Sequence, residues 1–328
     1  MNKEQNTFLV NRILENIPKK MKPVPYLANL LDISTESVYR RFGGKISFSF
    51  EEVSKLSQTL NFSVDDIISL KMTDRKALFE LKADELVGSS VAFTTMLQQE
   101  LSYIKQLQKS SQSEIISAMQ HLTALSVVDF DTLFKFFYYK WIHQTENVPI
   151  NYFFSDVVFS SEIKELLKEI RSLSDITLYN SEMTVISNPS LCRSIVCEIL
   201  YYTKRGLINN EDLQRLKNEL LIWVDNTERM IKTGLTKQGG RCNYFLSSFD
   251  IIESNSIYTS FGVQAESRFW IYTVNPLKVN VQGACKTHKE WLNSLKRYAT
   301  YVTQSNEILQ AEFLNQQRQY ILSVNSDE

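Results

Sequence analysis

Along residues 4–17 the apolar positions Phe8, Ile13 and Ile17 share one helical face, and Pro18 ends the run. A second helix starts near Pro25, a residue suited to a first turn because that turn has no use for the missing N–H. It carries Leu27, Ala28, Leu30 and Leu31, and breaks at Asp32-Ile33. Ser34 stands as the N-cap of a third helix, Thr35 to about Phe42, with Val38 and Phe42 four apart on one face. Gly43-Gly44 stops it. Ser49-Phe50-Glu51-Glu52 forms a capping box for a fourth helix, with Val53, Leu56 and Leu60 inward. Ser63-Val64-Asp65-Asp66 opens a fifth, with Ile67 and Ile68.

Two helices joined by a short turn, the second brief and ending in bases, make a helix-turn-helix pattern. Ala28 falls where the two helices cross, and its small side chain permits close approach; Ile33 anchors the turn. Thr35, Glu36, Tyr39 and Arg40 are left on the outward face of the third helix, which suits a major groove. The run from Pro25 to Val38 resembles the helix-turn-helix of lambda-repressor-like (XRE-type) regulators. Ser37-Val38-Tyr39-Arg40-Arg41-Phe42-Gly43-Gly44-Lys45, followed by Phe48-Ser49-Phe50-Glu51-Glu52, is similar to the BetR-type variant. The resemblance covers about residues 5–70. Asp32 stands where the family usually has Gly in the turn. Arg41 stands where many members have an apolar residue, so it faces phosphate, solvent or a carboxylate.

The resemblance implies a regulator of transcription that binds double-stranded DNA through a recognition helix at 35–42. Arg40 is the first candidate for reading a base, with Thr35, Glu36 and Tyr39 in support; Ser34, Arg41 and Lys45 are candidates for phosphates, and Ser37 is a further DNA-binding candidate. The alternative is a non-enzymatic scaffold that uses the same fold for protein contacts.

Beyond this segment, residues 87–109 place Phe93, Leu97, Leu101, Ile104 and Leu107 at helical spacing. Such a stripe serves either a dimer seam or an ordinary core. Residues 114–120 read as a short strand. Residues 129–142 carry Phe130, Leu133, Phe134, Phe137, Tyr138 and Trp141, a stripe that lines a ligand pocket or fills a core. Helices follow at 161–173, 189–204 and 210–232. Three β-rich runs at 242–252, 256–262 and 268–274 read as an antiparallel meander. Thr287-His288-Lys289-Glu290 has the form of a capping box opening a helix, and a last helix spans 306–321. The expected fold is mainly α: a five-helix lambda-repressor-like domain at 1–72, a linker at 73–85, and a helix-rich α+β domain at 86–328 with a small antiparallel sheet.

Composition narrows the function. Apolar residues form 43% of the 328 and charged residues 22%, which excludes wholesale disorder. Residues 1–45 hold 8 Lys+Arg against 4 Asp+Glu, whereas 77–328 hold 24 against 28. Basic charge is thus concentrated where DNA contact is expected, although a solvated face gives the same count. The cysteines at 192, 197, 242 and 285 form no dense framework, and charges interrupt every apolar stretch. A reduced, cytoplasmic protein without membrane contact is expected.

No Gly-x-Gly-x-x-Gly, P-loop or Gly-x-Ser-x-Gly motif is present, so neither an enzyme nor a cofactor is expected. Cys285 and His288 have ligand-like spacing but no second pair nearby, which argues against a metal. A single helix-turn-helix unit binds weakly at physiological salt. A homodimer held by the C-terminal region is therefore expected, with Phe93, Leu97, Leu101 and Ile104 as first candidates, alongside an unidentified effector or protein partner.

Overall fold

Leu9 and Ile13 lie four apart, so a helix turns both toward the same neighbours. That is α1 (Lys3–Asn16), followed by α2 (Pro23–Leu31), α3 (Thr35–Phe42) and α4 (Phe50–Leu60). The computed structural model describes residues 3–17, 21–60, 62, 89–110, 113–177, 181–237, 239–248, 250, 254–262, 264–270 and 276–324. The chain divides into two compact units, 1–76 and 77–328. The fifth helix expected at 63–68 and the linker expected at 73–85 lie outside the described residues.

In the first unit Leu9, Ile13, Leu27, Val38, Val53 and Leu56 meet in one small core. Ala28 is buried there and Ile33 packs against its edge. Asp32 adopts a left-handed conformation, φ 55°, and its N–H donates to the Ala28 carbonyl. The turn therefore needs no glycine, because a short polar side chain tolerates this region.

The second unit is built on a mixed sheet of seven described strands. These are β1 (Ser113–Met119), β2 (Ser181–Ser187), β3 (Cys242–Ser247), β4 (Ser256–Phe261), β5 (Gln264–Trp270), β6 (Pro276–Val279) and β7 (Ala299–Tyr301), ordered β6-β5-β4-β1-β2-β3-β7. β1, β2 and β3 are parallel, with Ser113 opposite Ser181 and Met183 opposite Cys242. The expectation of a small antiparallel sheet is corrected accordingly. β4 and β5 do form a hairpin, but β3 is separated from β4 by β1 and β2. The meander reading failed because parallel neighbours are joined by helical crossovers, which local sequence does not announce.

α5 (Ser89–Lys109) precedes β1, and the crossover helices are α6 (Asp131–Thr145) and α7 (Ser161–Thr177) between β1 and β2. α8 (Arg193–Lys204) and α9 (Asn210–Thr233) lie between β2 and β3. α10 (Gln282–Leu295) and α11 (Glu307–Leu322) follow β6 and β7. Ile115, Val185 and Tyr244 point into the large helical core, and Ile116, Ala118 and Ile186 into a second core with Leu292 of α10. Both faces of the central strands are covered, so β1 and β2 are almost continuously buried.

α6 is buried nearly all round, and its aromatic residues are core. Its first free N–H groups, at Thr132 and Leu133, donate to the Glu219 carboxylate at 3.1 and 2.7 Å. Phe93 and Leu97 are fully buried, and Leu101 and Ile104 nearly so. These four are core, not the dimer seam expected of them, because α5 must cover its apolar face against α6 and α7. Thr287 does not open a helix: α10 starts five residues earlier, and the Thr287 hydroxyl donates to the Gly283 carbonyl.

Candidate nucleic-acid interface

The second helix of the helix-turn-helix starts on Ser34, whose Oγ accepts from the Ser37 N–H at 3.2 Å and lies 3.0 Å from the Ser37 Oγ. This caps α3 and leaves the N–H groups of Thr35 and Glu36 without an intrahelical partner, as at any helix start. Val38 is buried, so the opposite face of an eight-residue helix must be exposed. Thr35, Glu36, Tyr39 and Arg40 all lie there, Tyr39 at 63% exposure. Arg40 Nη2 reaches Glu36 Oε1 at 2.6 Å, one turn back along α3. With both side chains more than half exposed, this pair is worth about 0.3–0.5 kcal/mol and opens readily.

Arg41 differs in kind. Its Nε and Nη2 donate to Glu52 Oε2 and Oε1 at 3.0 and 2.7 Å, and Nη1 donates to the Ser37 carbonyl at 3.3 Å. Both side chains are only 15% exposed. Of the three facing partners open to Arg41 in the sequence, the structure gives it the carboxylate. Glu52 also accepts from the Ser49 N–H, while the Ser49 Oγ accepts from the Glu52 N–H, completing the capping box. Burial by itself would raise the Glu52 pKa, but Arg41 and the Ser49 N–H outweigh it and hold the carboxyl below its usual value. The Asn6 amide of α1 donates to the Arg41 carbonyl at 3.0 Å. The last turn of α3 is thereby tied to both α4 and α1.

Lys45 is exposed just beyond Gly43-Gly44, at the opposite end of α3 from Ser34. Its N–H donates to the Arg40 carbonyl, and Gly44 takes φ +68°, a conformation that costs glycine little.

Residues 14–123 match the BetR domain. BetR is a helix-turn-helix family of regulators rather than of enzymes. The match extends past the segment of about 5–70 that carries the resemblance in the sequence, through α5 and β1 of the second unit. No curated protein and no solved structure matches the chain.

Two residues of the BetR segment and its neighbourhood, Glu52 and Asn6, were not singled out as site residues. Glu52 was visible as the end of a capping box; its second task needs a partner eleven residues away in sequence. Elsewhere, Cys285 and His288 face hydrogen-bond partners. Cys285 Sγ donates to the Val279 carbonyl, and His288 bridges the hydroxyls of Ser267 and Ser256 at 2.9 and 3.1 Å. Among the described residues no group of three or more His, Cys, Asp or Glu could hold a metal, and no helix is long and apolar enough to cross a membrane.

Proposed function

We propose that the chain is a sequence-specific transcription regulator whose α3 enters the major groove of double-stranded DNA. The observation that carries this reading is the division of labour between two adjacent arginines. Arg41 is spent on fixing the helix, while Arg40 stands outward beside Thr35, Glu36 and Tyr39. Arg40 is assigned to a base edge, where a bidentate guanidinium discriminates guanine. Ser34, Ser37, Lys45 and the free N–H groups of the first α3 turn are assigned to phosphates. Arg41 becomes a positioning residue.

The second unit supplies dimerisation and effector response in this reading. Two half-sites on one dimer raise affinity through effective concentration, which a single unit with few cations needs. The seam has to use exposed residues, since the α5 stripe is buried.

Gel shifts at low salt, against random duplex and against duplex selected by pull-down, test the reading. Arg40→Ala should weaken selected-site binding by about 1–3 kcal/mol and relax preference at one base position. An equal loss on random duplex would reassign Arg40 to phosphate. Absence of any shift would turn the reading toward protein contacts.

A further inference from the structure

Residues 77–328 carry 24 Lys+Arg against 28 Asp+Glu, a net charge of −4. Yet one groove of this unit, with a volume of about 550 Å³, is lined by five cations. Lys164, Lys168 and Arg171 stand at i, i+4 and i+7 along α7, Lys135 on α6 and Arg215 on α9. Phe154, Phe159 and Leu167 supply apolar wall between them.

The carboxylates in the groove do not balance this charge. Asp131 is matched by Arg171 at 2.8 Å, and Arg215 is held by Glu211 one turn back along α9 and lies 3.8 Å from Asp212. Among the described residues Lys135, Lys164 and Lys168 have no carboxylate within ion-pair distance. Lys135 instead rests its ammonium 4.6 Å from the centre of the Phe154 ring, and burial lowers its pKa. Arg171 Nε donates to the Val128 carbonyl at 2.7 Å, but its Nη2 is buried with no partner. Like charges one turn apart destabilise a helix, and an unmade buried donor costs more. An acceptor from outside the chain would relieve both.

We propose that this groove binds a small organic anion. An aromatic or aliphatic body lies against Phe154, Phe159 and Leu167, and a carboxylate or phosphate is met by Arg171 and the lysines. A pocket of this volume, with an apolar wall facing convergent charges, has the form of a small-molecule site. A nucleic-acid backbone would leave the apolar wall unfilled. That the anion is the effector of the regulator rests on the reading above; its binding does not.

The probe is 8-anilinonaphthalene-1-sulfonate, an aromatic anion, titrated by fluorescence into the full chain without DNA. Saturable binding of one dye per chain is expected. Lys164→Glu with Lys168→Glu, two exposed positions, should weaken it about tenfold, with thermal unfolding unchanged. The neutral analogue N-phenyl-1-naphthylamine should bind weakly. The proposal is overturned if the double variant binds the dye like the wild type, or if the neutral analogue binds as well. It is also overturned if a heparin fragment, a polyanion without an apolar body, displaces the dye stoichiometrically. Because no DNA is present, failure here leaves the gel-shift result untouched, and a failed gel shift leaves the groove standing.

Discussion

The two units handle charge in opposite ways. In the first, cations stay near the surface: Arg40 is exposed, and even Arg41 keeps part of its side chain in water. In the second, two cations go inside. Arg268 is buried between Glu100 and Glu266 at 2.7 and 2.5 Å, 3.6 Å from the centre of the Tyr103 ring. Lys140 is buried against Glu198 at 2.8 Å. All three histidines, 121, 143 and 288, belong to this unit, and burial lowers the pKa of each. Size explains the difference. A small helical core has little surface burial with which to offset ion desolvation, whereas a covered sheet can hold charges in satisfied networks. The first unit therefore keeps Arg40 available for recognition, and the second spends Arg268 and Lys140 on its own structure.

The largest effect that tests this contrast is Phe93→Ala. Phe93 packs on Phe134 and Tyr138 in the large helical core of the second unit, so the change should cost about 3–5 kcal/mol. Calorimetry should show the transition of the second unit lowered and that of the first unmoved. A shifted oligomeric state with unchanged stability would return Phe93 to an interface.

Acid should separate the units next. Burial pushes the His288 pKa down to about 4, and Ser267, Ser256, Phe269 and Trp291 surround it without an acid. A folded-state value below the unfolded one means that the unfolded chain binds more protons. The stability is then complete above the ordinary histidine range and drains away as pH falls toward the lowered value, by on the order of 3 kcal/mol. Denaturant unfolding from pH 7.5 down should weaken the second unit first, since the first has no histidine. His288→Gln should remove much of that step.

Arg41→Ala should cost the first unit about 1–3 kcal/mol, between the values for exposed and buried pairs. Glu52 adds the sign test. Its folded pKa is lowered, so its contribution is present above the ordinary glutamate range and is lost as pH falls below it. The variant should flatten this loss, as read from unfolding at neutral and acid pH.

The smallest effect is expected at Glu36→Gln. The exposed pair with Arg40 contributes about 0.5 kcal/mol or less to stability. Removing a negative charge from the α3 face should nevertheless tighten DNA binding on every sequence in gel shifts. Weaker binding would mean that Glu36 itself contacts a base.

The sequence alone determined what depends on neighbours a few positions apart. The caps at Ser34 and Ser49, the stop at Gly43-Gly44 and the outward set Thr35, Glu36, Tyr39 and Arg40 follow from spacing along one helix. The boundaries of α9 and α11 and the start of α7 were legible for the same reason, because period and capping are local. Only the tertiary structure decided what depends on residues distant in sequence. It turned Arg41 toward Glu52 rather than phosphate, placed β1, β2 and β3 side by side in parallel, and buried the α5 stripe as core. It also gathered Lys135, Lys164, Lys168, Arg171 and Arg215 around one groove. The i, i+4, i+7 cations of α7 were not singled out from the sequence, since an exposed basic stripe and a lined groove differ only in what packs opposite, and that is fixed by the chain's long-range contacts.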